Sequence, residues 1–153
     1  LRSANVKVAV HVILGLPGES AADMATTAQF IAAMDPDGVK IHNLHIPRGS
    51  PLYREYLAGE VTAPGPERHL EYVISVLERL PPRTAILRLT TDTPSAALAA
   101  PRSFWPKQRF ASEVAAEMRR RGTWQGRLWP PPPDEIADRQ VLDARPLPEP
   151  LQP

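Results

Sequence analysis

His11, His42, His45 and Glu19 are the residues of this chain whose types and positions suit chemistry, and the turn Gly15-Leu16-Pro17-Gly18 lies among them. A neutral imidazole donates from one ring nitrogen and accepts at the other, so histidines facing a site can hydrogen-bond a substrate, a cofactor or each other. Metal ligation needs a tighter pattern. No two of these histidines stand four apart as on a helix face, and no carboxylate falls at a ligand-like interval from them, which argues against a metal site. The turn lacks the Gly-Lys-Ser/Thr of a Walker loop and the third glycine of a dinucleotide fingerprint, so a phosphate cradle is poorly supported. Two readings of it stand: a plain strand-to-helix loop, or a place where glycines let a ligand approach the backbone at a strand end. Glu19, as an isolated acid at a helix start, reads first as a partner of the helix macrodipole.

The elements that must position these residues follow from periodicity. From Val6 to Gly15, Val6, Val8, Val10, Val12 and Leu14 share one face, and Lys7, Ala9, His11, Ile13 and Gly15 the other. In a parallel sheet or barrel the first face packs under helices and the second lines the interior. Ser20-x-x-Asp23 is a capping box with Asp in place of Glu, and Met24, Ala28, Ile31 and Met34 follow at helical spacing until Asp35-Pro36-Asp37-Gly38. Val39 and Ile41 then pack outward, leaving Lys40, His42 and Leu44 on the interior face. Strand, helix, strand makes a βαβ unit, right-handed by the general rule.

Downstream, a short helical piece runs from Tyr53 to Leu57. A stronger helix opens at Pro64-Gly65-Pro66, carries Leu70, Val73, Leu77 and Leu80 in one stripe, and ends at Pro81-Pro82. Thr84 to Leu89 suits a further strand, short or at an edge. Asp92-Thr93-Pro94 turns into the Ala-rich Ser95 to Ala100, and a last helix spans Lys107 to Arg121 with Phe110, Val114 and Met118 in line. Arg119-Arg120-Arg121 suits the dipole and carbonyls of that helix end better than an RNA-binding patch. Trp105, Trp124 and Trp129 suit closing the core edge or anchoring the tail.

Composition bounds the rest. The chain has 153 residues, 18 basic and 17 acidic, so no net field argues for nucleic acid or for cationic substrates. No apolar run approaches the roughly 20 residues of a membrane span, and the start is not secretory in pattern, which makes a cytoplasmic protein the expectation. There is no cysteine, so this chain by itself can hold neither a disulfide nor a Cys-ligated cluster. Of 19 prolines, eight follow Trp129, so residues 128–153 read as an extended or disordered tail behind a domain of residues 1–127. The start at Leu1 suggests a piece of a longer protein.

Taken in order, His11–Glu19, Asp37–His45, Arg48-Gly49-Ser50-Pro51-Leu52, Leu80-Pro81-Pro82, Arg88–Asp92 and Trp124-Gln125-Gly126 resemble the C-terminal half of radical S-adenosylmethionine (radical SAM) proteins. The pattern is nearest to the bacterial YhcC-type subgroup, related to the catalytic subunit of Elongator. The resemblance covers about residues 6–127. It implies an α/β fold: the C-terminal part of a partial (β/α)6 TIM-like barrel, here its last two strands and a helical C-terminal extension. In that family the end of the fifth strand supports the adenine of S-adenosylmethionine through a Gly-x-Ile-x-Gly-x-x-Glu-like motif. Ile13 and Gly15 match it; His11 stands at the first Gly, and Glu19 falls one residue late. The sixth strand implies His42 and Leu44 as further adenosyl contacts.

The family's Cys-x-x-x-Cys-x-x-Cys loop is absent, so the [4Fe–4S] cluster would be ligated outside this chain, and reductive cleavage to a 5′-deoxyadenosyl radical could not occur on it alone. The resemblance thus implies a catalytically inert fragment that needs the N-terminal half of the barrel as partner and acts on an unknown small-molecule or RNA substrate. The alternative is a degenerate relative serving as a non-catalytic α/β binding or scaffold module.

Overall fold

Strong local start signals set the helices. In the computed structural model, which describes residues 6–92 and 95–130, Ser20 Oγ accepts from the Asp23 amide at 3.2 Å while the Asp23 carboxylate accepts from the Ser20 amide at 2.9 Å. This reciprocal cap opens α1 (Ala21–Met34), which follows β1 (Ala9–Leu14) and leads to β2 (Gly38–Asn43). A two-residue β3 (Ile46–Pro47) precedes α2 (Pro51–Leu57), which starts two residues before Tyr53 because the Ser50 hydroxyl caps it and Pro51 takes its first turn. Then come α3 (Pro66–Arg79), β4 (Ala85–Arg88), β5 (Leu98–Ala100) and α4 (Lys107–Arg121).

The main sheet is parallel in the order β1-β2-β4, and Ala9 to Leu14 lie in unbroken register with Gly38 to Asn43. It holds one more strand than the two implied by the resemblance: the short edge strand read at Thr84–Leu89 is β4. In β4 two residues, Leu87 and Arg88, oppose the single Lys40, a bulge that turns the edge strand. A second sheet pairs β3 with β5 antiparallel, so part of the Ala-rich 95–100 run is strand.

Among the described residues, one face of the main sheet is covered and the other is open. Leu14, Val39 and Ile41 are buried against Met24, Ala28 and Ile31 of α1 and Val73, Ile74 and Leu77 of α3, and Phe110 and Val114 of α4 complete this core. Burial of this continuous apolar layer drives the assembly. Met34, placed on the buried stripe by its spacing, is instead 46% exposed, because Asp35 already leaves the helix in a left-handed conformation and the last turn clears the sheet. Val6 is exposed, since strand pairing begins only at Ala9. Trp105 and Trp129 pack on the core as expected, but Trp124 is exposed, with the Arg127 guanidinium 5.5 Å from its ring.

Arg120 and Arg121 do not cap carbonyls. Both bind the Glu117 carboxylate, and Arg121 also reaches Glu71 on α3, so the cluster ties the last two helices together while Gly122 ends α4. Those hydrogen bonds hold the Glu117 carboxyl down at about 2. Leu128 and Trp129, assigned to the tail, are bound to the domain: the Leu128 amide donates to Glu78 O at 2.7 Å and Arg83 lies over the Trp129 ring. Residues 131–153, which carry the rest of the tail reading, lie outside the described residues.

Candidate functional site

The open face of the sheet is the interior face that the alternation marked. Its β1 residues are His11 and Ile13, and its β2 residues are Lys40 and His42; Ile13 is 47% exposed. The His11 and His42 rings stack with centroids 5.4 Å apart and planes 26° from parallel. His42 Nε2 is buried yet has no hydrogen-bond partner. Burial first, then the positive charges of Arg88 and Lys40 and the neighbouring histidines, lowers the His42 pKa, so its ring is neutral near pH 7. A neutral ring with one orphaned nitrogen is a hydrogen-bonding post for a bound group.

The turn after β1 has a definite structure. Gly15 takes φ 80°, and a Cβ there would sit 2.5 Å from Pro64 Cγ, so its bareness accommodates the loop before α3. Glu19 turns back on this loop: its Oε2 accepts from the Gly15 amide at 2.8 Å and the Leu16 amide at 3.0 Å. Glu19 therefore fixes the turn by direct bonds, more specifically than a helix-dipole interaction would. A cleft of about 560 Å³ lies between this turn and residues 60–65, with Arg68 and Tyr72 in its wall. Leu44 follows the end of β2 and is buried.

Asn43 is the polar residue that spacing alone passed over. It lies on the outward face after Val39 and Ile41, is 2% exposed, and uses both ends of its amide. Its Oδ1 accepts from Thr90 Oγ1 at 2.8 Å and from the Thr91 amide at 3.0 Å, and its Nδ2 lies 2.9 Å from His45 Nε2. Asn43 thus locks the loop after β4 and the ring of His45 to the end of β2. An amide on an otherwise apolar face was the available signal. Arg88 was missed for a different reason: only the bulge brings it opposite Lys40 and near His42. Burial lowers the His45 pKa, against the opposing charge of Asp92. Among the described residues no group of three or more His, Asp or Glu is placed to hold a metal ion.

A parallel sheet backed by helices on one face, with the other face open and its strand ends on one rim, is the C-terminal part of a partial (β/α) barrel with a helical extension. The chain belongs to the radical SAM proteins: residues 36–120 match the family described as the Radical_SAM C-terminal domain. That match includes His42 and Leu44 and begins after His11, Ile13, Gly15 and Glu19. The chain is 31% identical over 129 residues to the uncharacterized protein YtqA of Bacillus subtilis (84% of this chain, 40% of that protein), and 34% identical over 122 residues to MJ0486 of Methanocaldococcus jannaschii (79% and 38%). It is 29% identical over 136 residues to YhcC of Escherichia coli (86% and 43%). It therefore spans about two fifths of the length of these relatives. In fold it is similar to the archaeal Methanocaldococcus infernus Elp3 with an N-terminal deletion, with a TM-score of 0.69 at 22% identity over 82% of this chain and 29% of that one.

Proposed function

We propose that this chain forms the cofactor-side C-terminal wall of a cytoplasmic radical SAM enzyme, contributing adenosyl contacts and no cluster ligands. The observation that carries the reading is the His11–His42 stack beside exposed Ile13, with His42 Nε2 buried and unpartnered on the open face. An adenine edge offers both donors and acceptors, which answers an orphaned imidazole nitrogen in either tautomer, and its flat apolar faces suit the stacked rings and Ile13. His42, kept neutral by its burial, orients such a ring without adding charge. Glu19 and Gly15 act one step back, holding the turn that ends β1. Leu44 backs the same rim from within.

With a reduced [4Fe–4S] cluster ligated outside this chain, S-adenosylmethionine supplies a one-electron route to hydrogen abstraction from the substrate. The free edge of β1 and the open face are where the preceding part of the barrel would pair, and the chain alone would be inert. No helix among the described residues is long and apolar enough to cross a membrane, and reductive cluster chemistry suits a reducing compartment.

The complete reading frame that encodes this chain, reconstituted anaerobically with iron and sulfide, is expected to cleave S-adenosylmethionine, and the 153-residue chain treated identically is not. Cleavage by the chain alone, or a complete reading frame without the three-cysteine loop, overturns the reading. The non-catalytic module predicts the latter. Independently of turnover, Ile13→Asp and His42→Ala in the complete protein should each weaken S-adenosylhomocysteine binding by about tenfold, roughly 1.4 kcal/mol.

A further inference from the structure

A second cleft, of about 350 Å³, opens on the same rim between the small β3–β5 sheet and the segment leading into α4. Arg48 and Arg102 both line it. Neither guanidinium pairs with a carboxylate among the described residues, and both side chains are exposed. They come from distant parts of the sequence and flank the β3–β5 pair at its two ends: Ile46 lies opposite Ala100 and Pro47 opposite Leu98, the Arg48 amide donates to Ala97 O at 2.8 Å, and Arg102 follows two residues after Ala100. The acid of this cleft, Asp92, is engaged by Lys107, whose Nζ lies 2.7 Å from its carboxylate. Phe104 and Trp105 form the opposite wall and pack on the main core through Phe110, with ring centroids 5.4 and 6.2 Å from it.

We propose that this cleft binds a phosphate group of the substrate. Two planar guanidiniums present fork-shaped donor sets that match a phosphate, and a cleft with its acid already neutralised favours an anion. The aromatic wall is pinned to the core and so is shaped before binding, which limits the ordering cost. The Arg109 guanidinium lies over the Trp105 ring, 4.8 Å from its centroid, and adds a further positive charge beside this wall. The cleft stands at the C-terminal ends of β2 and β4, where α/β proteins carry their ligands. The proposal rests on the enzyme reading for the word substrate, but its geometry is independent of the adenosyl contacts.

The full chain is titrated calorimetrically with inorganic phosphate, ribose 5-phosphate and a single-stranded oligouridylate, as parent and with Arg48→Gln, Arg102→Gln or both. Each single variant should lose about fivefold to tenfold in affinity and the double variant more, with binding weakened by added salt. Arg119→Gln, on the last turn of α4, should bind as the parent does. Equal affinity for inorganic phosphate and ribose 5-phosphate supports a site for the phosphate alone. Tighter oligouridylate binding that is lost with the arginines supports a nucleic-acid backbone as its source. Because both side chains are exposed, the variants should unfold at the parent's denaturant midpoint, so a loss of affinity is not a loss of fold. Binding of none of the three probes, or undiminished binding by the double variant, overturns the proposal. S-Adenosylhomocysteine binding by the complete protein is expected to be unchanged in both arginine variants, which separates failure here from failure of the adenosyl reading.

Discussion

At the scale of single residues, His69 shows how a side chain can be decided wholly by its surroundings. It is fully buried on α3 between Phe104 and Phe110, and its Nε2 donates to Leu89 O at 3.0 Å. That bond fixes the proton on Nε2 and leaves Nδ1 bare, with no partner for a second proton. Burial accordingly pushes its pKa down to about 4. The unfolded chain, with an ordinary histidine, takes up a proton first as the pH falls below about 6.5. The contribution of His69 to stability is therefore complete above that value, declines towards pH 4 and is flat below it, a loss on the order of 3 kcal/mol. Urea unfolding at pH 7.5 and 4.5 should show the drop, and His69→Gln should flatten it; an unchanged pH dependence in that variant would assign the loss to other groups. Helical spacing sets His69 beside the apolar stripe of α3, four residues before Val73, but its residue type hid the burial, which is completed by Phe104 and by Phe110 of α4 some 40 residues away. His11, Ile13 and His42 were different: strict strand alternation was enough to put them on one face, since a pleated strand leaves a side chain only two directions.

The elements divide along the same line between local and distant causes. The capping box at Ser20 and the full extent of α4, Lys107–Arg121, were legible because their signals lie within a few residues. β5 was not: an alanine-rich run has no strand preference of its own, and Leu98–Ala100 becomes extended only by pairing with β3 some 50 residues earlier. The bulge in β4 is likewise a product of pairing. The turn after β1 combines both kinds of cause, since its glycine was visible but the reason for it was not. Gly15 needs a positive φ, and it also faces Pro64 across a gap that no Cβ fits. Gly15→Ala should therefore lower stability by roughly 2–4 kcal/mol, about 1 from the backbone and the rest from overpacking. Gly18→Ala, equally positive in φ but with nothing within 4 Å of its Cβ, isolates the backbone share and should cost only about 1 kcal/mol. Denaturant midpoints for the two variants measure the difference; equal losses would mean that the Pro64 loop yields freely.

At the scale of the whole molecule the decisive feature is one-sidedness. A parallel sheet ordinarily has both faces covered, because its strands bury apolar side chains above and below. Here α1 and α3 cover one face, and the other shows Ile13 and Leu87, 47% and 52% exposed, between the charged and imidazole groups of Lys40, Arg88, His11 and His42. A barrel wall has this character, apolar enough to line an enclosed site and polar enough to bind in it, and the small apolar contribution explains how this face stands without a second layer among the described residues. The 153-residue chain should consequently bind a hydrophobic dye in its native state, and Ile13→Lys and Leu87→Lys should each reduce that fluorescence while leaving the unfolding free energy within about 0.5 kcal/mol. Phe30→Lys, on the flank of α1 and 58% exposed, serves as the comparison. If it alone removes the signal, the apolar surface that needs covering is the helix flank, and the sheet face is already adapted to water. Dye fluorescence that survives at Phe30→Lys and falls at the two sheet positions identifies the open face as the surface that the rest of a barrel would enclose.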